Sequence, residues 1–93
     1  MKTALRKQLD EMTEDEIKSL LIRDYMRRLT RYRITNDFFK KKYAMDFAEF
    51  EKKDLIRKEN YSFEVESDAQ EWELALDGIK SIEKKLKEIS HEN

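Results

Sequence analysis

The chain contains no proline and only one glycine in 93 residues, and this shortage of turn-forming residues limits the folds open to it. Tight turns and β-hairpins depend on residues that tolerate positive φ or fix a bend. A sheet of short strands therefore has little to be built from. We expect an all-α fold, organised as one helical domain over residues 1–93, because this length is that of a single small domain.

Two stretches of apolar residues recur at helical spacing and predict two long helices. The first contains Ile17, Leu21, Tyr25, Leu29 and Tyr32, and the second contains Ala69, Trp72, Leu76, Ile79, Ile82, Leu86 and Ile89. Residues three or four apart share one face of a helix, so each stretch carries one apolar face. The prediction is a pair of long antiparallel amphipathic helices bridged by a shorter helix, with a short helix over residues 2–11 before them.

Capping boxes indicate where the helices begin. An N-cap oxygen is followed three residues later by Glu or Gln after Thr13, Asp46 and Ser67. The first long helix is expected to reach about residue 42, with an alternative in which the weak helix formers at 35–37 interrupt it. Residues 61–66 alternate between apolar and polar, which favours an extended segment, although they can also continue into the last helix. Gly78 either permits a close helix approach or is merely tolerated within that helix, and we favour the second interpretation.

Charge is divided between two segments of opposite sign. Residues 23–42 hold eight Lys or Arg and two acids, whereas residues 59–77 hold seven acids and no base, in a chain whose net charge is −1. This opposition indicates interaction with partners. A nucleic-acid surface is one interpretation, since cations on a helix can follow a phosphate backbone; its residues would be Arg23, Arg27, Arg28, Arg31, Lys40, Lys41 and Lys42. The other interpretation places the acidic segment over the basic one, within one chain or between two copies.

No pattern in the sequence predicts catalysis. The chain has no cysteine, so thiolate chemistry and thiolate metal sites are excluded, and its hydroxyl residues fall at cap positions. Glu64, Asp68, Glu71 and Glu73 could collect a hard divalent cation, because helical positions three and four apart share a face, but without a calcium-loop glycine we interpret them as a solvated acidic face or one that meets a basic partner. His91 is interpreted as a surface residue. We expect a protein that is not an enzyme and uses no cofactor or metal.

Location follows from the same composition. The longest aliphatic run is three residues, Leu20 to Ile22, which is far shorter than a membrane span of roughly 20 residues. The absence of cysteine fits a reducing compartment. We expect a cytoplasmic protein without a membrane partner.

The segment Lys42-Tyr43-Ala44-Met45-Asp46-Phe47-Ala48-Glu49-Phe50-Glu51 resembles the K-Y-G-M-S-F-E-E-F-E pattern of a group of small helical archaeal and bacterial proteins. The stretch from Tyr61 to Ala69, with Trp72-Glu73 and Asp77-Gly78-Ile79, is similar to the second half of that pattern. Ala44 stands in place of the usual Gly, which puts a left-handed turn at that position in doubt. Asp46 replaces the usual Ser and keeps an N-cap.

The resemblance implies an antitoxin-like partner protein of a two-gene toxin–antitoxin locus. In that interpretation the acidic segment binds a cognate basic, toxin-like protein, and the expected partner-binding residues are Tyr61, Phe63, Val65, Asp68, Glu71 and Trp72. For Trp72 and the aromatic residues at 38, 39 and 43 we favour a role in a core or an oligomer over one as binding anchors, because they lie on or near the apolar stripes. We also expect a homodimer, since two long amphipathic helices offer each other little surface within one chain.

Overall fold

Five helices make up the chain in the computed structural model, which describes residues 3–58, 60 and 62–91. They are α1 (Ala4–Glu11), α2 (Glu14–Tyr43), α3 (Phe47–Lys52), α4 (Leu55–Lys58) and α5 (Phe63–Ser90). The long helices α2 and α5 pack against each other as an antiparallel hairpin, and α3 and α4 bridge them. The predicted all-α architecture is confirmed, including the short N-terminal helix, and the described residues contain no strand.

Helix α2 begins where its capping box predicts. The Thr13 hydroxyl accepts a hydrogen bond from the backbone N–H of Glu16 at 3.1 Å. Three acids in the first turn and three lysines in the last turn complement the helix dipole. The helix is continuous through residues 35–37, so the alternative of an interruption there is wrong. Thr35 is accommodated by a hydrogen bond from its hydroxyl to the Arg31 carbonyl, and Asn36 has a tertiary partner described below.

A left-handed residue ends α2. Ala44 has φ 55° and ψ 37°, and the Met45 N–H donates to the Lys40 carbonyl at 3.2 Å. The doubt that alanine raised about a left-handed turn was therefore wrong, because the hydrogen bonds that close the helix end require this conformation. The following helix starts at the Asp46 cap as predicted. It is divided in two at Lys53 and Asp54, and Asp54 is again left-handed.

The N-cap of α5 lies five residues earlier than its predicted position at Ser67. Ser62 is the N-cap, and its hydroxyl accepts from the Val65 N–H at 3.3 Å. The extended segment expected near 61–66 is therefore wrong for residues 63–66, while Tyr61 lies outside the described residues. Side chains two residues apart on a helix point about 200° away from each other around the axis. Phe63 therefore points to solvent while Val65 is buried. The burial of Val65 therefore outweighs the better local cap at Ser67, whose Gln70 completes a capping box that Ser62 lacks.

The core lies at the connected end of the hairpin. It consists of Phe39, Phe50, Val65, Ala69 and Trp72, with Tyr43, Met45, Phe47 and Leu76 packed against it. Trp72 is fully buried, and four aromatic rings lie within 6.0 Å of its ring, centroid to centroid. The core interpretation of Trp72 and Phe39 is confirmed, whereas Phe38 is mostly exposed at the edge.

Farther along the hairpin, Gly78 allows α2 and α5 to approach closely. A Cβ added at this position would lie 2.5 Å from Cε2 of Tyr32, inside any allowed contact distance. The tyrosine ring therefore occupies the space that a side chain would need. The interpretation of Gly78 as merely tolerated is wrong, because the packing of Tyr32 against α5 requires a residue without a side chain at this position.

The molecule is elongated and thin. The described residues extend 56 × 31 × 16 Å with a radius of gyration of 18.7 Å, against about 12 Å for a compact domain of this length. The short dimension leaves room for one layer of helices, each about 10–12 Å wide with side chains. Helix α1 has no buried residue, and Leu5 and Leu9 on it are exposed. Much apolar surface is therefore left uncovered.

Candidate interaction surfaces

Among the described residues, the two charged segments meet at one cluster. The Lys42 ammonium donates to Asp68 at 2.6 Å and to Glu64 at 2.8 Å, and the Tyr43 hydroxyl donates to the same Asp68 oxygen at 2.6 Å. Lys42 and Tyr43 end α2, while Glu64 and Asp68 lie one turn apart at the start of α5. The cluster therefore ties the end of one long helix to the beginning of the other.

The ionisation of these groups reflects their contacts. Hydrogen bonds from Lys42 to Asp68 and Glu64 hold the pKa of Lys42 above its ordinary range. Burial, with a smaller contribution from the hydrogen bond to Asp68, raises the pKa of Tyr43 to about 12. Burial alone would raise the pKa of Asp68, but the hydrogen bonds from Lys42 and Tyr43 outweigh it and lower that pKa. At neutral pH the cluster is an ion pair with a neutral phenol.

The predicted partner-binding residues do not form one exposed surface. Val65 and Trp72 are buried in the core, so they cannot contact a partner in this conformation. Asp68 is committed to the ion-pair cluster. Glu71 is exposed, and Phe63 is 85% exposed at the first position of α5. Of the predicted apolar anchors that the structure describes, Phe63 alone remains available.

Asn36 is a structural residue that the sequence reasoning interpreted only as a weak helix former. Its side-chain oxygen accepts a hydrogen bond from the Trp72 indole N–H at 2.8 Å. The indole donor is thus satisfied inside the core, where an unpaired one would be costly. The available signal was position: Asn36 falls on the apolar stripe, four residues after Tyr32 and three before Phe39.

The outer face of α5 carries an apolar stripe bordered by acids. Phe63 and Leu74, which are 85% and 68% exposed, lie 11 residues apart. That interval is close to three helical turns, so both side chains point the same way about 16 Å apart. The carboxylates of Glu66, Glu71 and Glu73 flank them, and none of the three has an ion-pair partner among the described residues. We call Phe63, Leu74 and these three acids the acidic stripe.

The predicted nucleic-acid-binding residues are separated by the structure. Arg23, Arg27 and Arg31 recur every four residues and are exposed, and Arg27 and Arg28 both pair with Asp24, at 2.7 and 3.0 Å. Lys40 and Lys41 are also exposed, two to three turns further along α2. Lys42 is removed from the set by its bonds to α5. Of the predicted nucleic-acid-binding residues, the three arginines form one exposed row, and Lys40 and Lys41 lie too far along α2 to be part of it.

An open groove runs between α2 and α5 at the end of the hairpin away from the core. Its floor is apolar and contains Ile22, Met26, Leu29 and Leu86, and its volume is about 820 Å³. Its edges are Arg33, Lys80, Lys84 and Lys87, with Glu83 and Ser90 between them. Four cations against one carboxylate make the rim positive. The positive rim was not predictable from the sequence, because Arg33 of α2 and the three lysines of α5 come together only in the folded hairpin.

The described residues contain neither a metal-ligand cluster nor a membrane-spanning helix, and the chain matches no known protein family. Within residues 3–58, 60 and 62–91, no group of three or more His, Asp or Glu could hold a metal ion. Across the same residues, no helix combines the length and apolar character needed to cross a membrane. Comparison of the chain with family models, with curated proteins and with solved structures found no match in any of the three. The antitoxin-like resemblance therefore stays a prediction.

Proposed function

We propose that this chain is a non-enzymatic protein–protein interaction module, an antitoxin-like regulator that binds a basic partner protein in the cytoplasm. The observation that carries the proposal is the acidic stripe on α5, where Phe63 and Leu74 are exposed among carboxylates. Large apolar side chains gain free energy when a partner covers them. A surface of this kind suits binding to another protein.

The stripe has the form of a helix that binds in a groove. Recognition of this type uses a few apolar anchors on one face of an amphipathic helix. Phe63 and Leu74 are such anchors, and Glu66, Glu71 and Glu73 supply negative charge around them. Charge of one sign increases the association rate and rejects partners of the same sign. The partner is therefore expected to offer an apolar cleft bordered by Lys or Arg.

Three residues that were predicted to contact the partner hold α5 in place instead. Trp72 and Val65 fix the inner face of α5 in the core, and Asp68 ties its first turns to α2. The outer face is consequently presented on a rigid helix, which lowers the entropic cost of binding. The proposed contact surface thus moves from the predicted set to Phe63, Leu74 and the neighbouring acids.

Co-expression with the product of the neighbouring gene tests the proposal. The variant Phe63→Ser/Leu74→Ser should lose the complex, because both anchors are removed without touching the core. Its matched control is Ile34→Ser/Phe38→Ser on the outer face of α2, where the side chains are similarly exposed at 63% and 59%. The control should keep the complex. Failure of the wild-type chain to form one, or equal loss in both variants, contradicts the proposal.

Nucleic-acid binding by α2 is the second candidate function. The observation that favours it is the row of exposed arginines at positions 23, 27 and 31, of which Arg27 alone has a carboxylate partner among the described residues. Phosphate contacts make affinity fall steeply with salt. Titration of generic DNA and RNA at low and moderate salt checks this, with Arg23→Gln/Arg31→Gln expected to weaken binding at every sequence. Absence of binding at low salt removes this candidate.

A further inference from the structure

One row of side chains along α5 changes sign halfway. Its members are Glu66, Glu73, Asp77, Lys80, Lys84 and Lys87. The spacings of 7, 4, 3, 4 and 3 residues keep them on one side of the helix. We call these six residues the charge row. The first three are acidic and the last three basic, so the row is a linear charge pattern with two opposite halves.

We propose that two copies of this chain associate through antiparallel α5 helices, with the charge row of each copy against that of the other. The four central members of the row, Glu73, Asp77, Lys80 and Lys84, are complementary to one another when the row is reversed about a point between residues 78 and 79. Reversal brings Glu73 of one copy opposite Lys84 of the second, and Asp77 opposite Lys80. Because the arrangement is two-fold symmetric, each of these pairs occurs twice, and the assembly closes at two copies.

The basic half of the row is also the α5 edge of the open groove. Lys80, Lys84 and Lys87 line that groove, and Met26 on its floor is 45% exposed. A helix whose acids pair with those lysines lies along the mouth of the groove and covers apolar floor. Exposed ion pairs are individually weak and mainly set orientation, so burial of the floor supplies most of the affinity.

The shape of the single chain supports this occupant. The hairpin is one helix layer thick, and within the part of the chain that the structure describes no third helix lines the groove. Of the long helical surfaces in the chain, the acidic half of α5 has the charge that the positive rim requires. A second copy therefore supplies both the missing layer and the missing charge. The charge row shares Glu66 and Glu73 with the acidic stripe, but the contact between copies also needs Lys80 and Lys84, which the proposed partner protein does not use. Variants of these lysines therefore test the inference separately from the proposed function.

Charge reversal provides the experiment. In the variant Glu73→Lys/Asp77→Lys the four paired positions of the row, 73, 77, 80 and 84, are all basic. In Lys80→Glu/Lys84→Glu the same four positions are all acidic. Each alone should associate at least about tenfold more weakly than the wild type in sedimentation equilibrium, because like charges face each other. An equimolar mixture of the two should recover association, since every pair is then opposite in sign. Circular dichroism of each variant verifies that it is folded.

Three further measurements separate this arrangement from others. The reversals Glu51→Lys/Glu71→Lys and Lys40→Glu/Lys41→Glu change charge equally outside the row and should leave association within about twofold, because exposed charges away from an interface contribute little. Met26→Asp on the groove floor should also weaken association, because it puts a charge on apolar surface that the second copy would cover. The Lys80→Glu/Lys84→Glu variant should still bind the neighbouring gene product, which keeps this test distinct from that of the proposed function.

A wild-type chain that stays monomeric at every concentration overturns the inference. So does association that the row variants leave unchanged, or a mixture that does not recover. Binding of phosphatidylserine-containing vesicles or of duplex DNA by a chain that remains monomeric would instead assign the groove to an anionic lipid or a nucleic acid.

Discussion

Replacement of Gly78 by alanine tests the closest approach of the two long helices. At an exposed helical position this change stabilises a protein by roughly 1 kcal/mol, because alanine has the higher helix propensity. Here the new Cβ would meet three ring atoms of Tyr32 at 2.5, 2.6 and 2.7 Å. Overpacking of this kind costs about 1–3 kcal/mol. The net expectation is a destabilisation on the order of 1 kcal/mol.

Removal of the tyrosine ring should reverse the sign of this effect. In a Tyr32→Ala background, Gly78→Ala meets no ring and should stabilise the chain by about 1 kcal/mol through helix propensity. The two results together give a coupling energy of about 2 kcal/mol between the positions. Urea unfolding followed by circular dichroism measures all four members of the cycle. Glycine and alanine variants at the exposed Ser81 provide the propensity difference without a contact.

One result would contradict the contact between Tyr32 and Gly78. If Gly78→Ala stabilises the wild type and the Tyr32→Ala variant equally, and by the same amount as at Ser81, the ring does not occupy the space beside Gly78. The glycine would then be merely tolerated, as its sequence context suggested. A destabilisation that persists after the ring is removed would point to a different obstacle.

Three other changes should follow from contacts at the connected end of the hairpin. Ala44→Gly should raise the free energy of unfolding by roughly 1 kcal/mol, since a left-handed alanine costs about 1–2 kcal/mol; an unchanged urea midpoint would contradict this. Asn36→Ala should lower it by about 1–3 kcal/mol, because the buried Trp72 indole loses its acceptor, while the exposed neighbour Asp37→Ala serves as control. Asp68 has a lowered pKa in the folded state, so it contributes stability above its ordinary pKa of 3.8 that is lost as the pH falls below this value. Acid titration of unfolding should show that loss in the wild type and not in Asp68→Asn.

Local hydrogen bonding explains why the helix starts at Thr13 and Asp46 were predictable. Each cap satisfies backbone donors within four residues, so the sequence nearby contains the whole interaction. Ser67 offered the better local cap for α5, since Gln70 completes its capping box, and the start at Ser62 depended on burying Val65 against residues far away in sequence. Ala44 shows the same dependence, because the chain adopts an unfavourable φ to close α2 and begin α3.

Long-range pairing explains why the candidate surfaces were only partly predictable. The charge of each segment was visible in the sequence, but the choice of Lys42 as the residue that contacts Glu64 and Asp68 required the hairpin geometry. The basic groove was hidden for the same reason, since its cations come from two helices about 50 residues apart along the chain. Trp72 satisfied the patterns of a core residue and of a binding anchor alike, and burial by rings from α2 and α3 decided between them.

The position of the aromatic core has a consequence for the order of folding. The contact between Tyr43 and Asp68 closes a loop of 25 residues, whereas the contact between Tyr32 and Gly78 closes one of 46. Loop closure entropy makes the longer loop costlier by about 0.5 kcal/mol before any contact near Gly78 forms. The hairpin is therefore expected to zip from its connected end, with the half that carries the basic groove forming last. During local unfolding that half opens first, so amide protons near Ile22 and Leu86 should exchange with solvent sooner than those around Trp72.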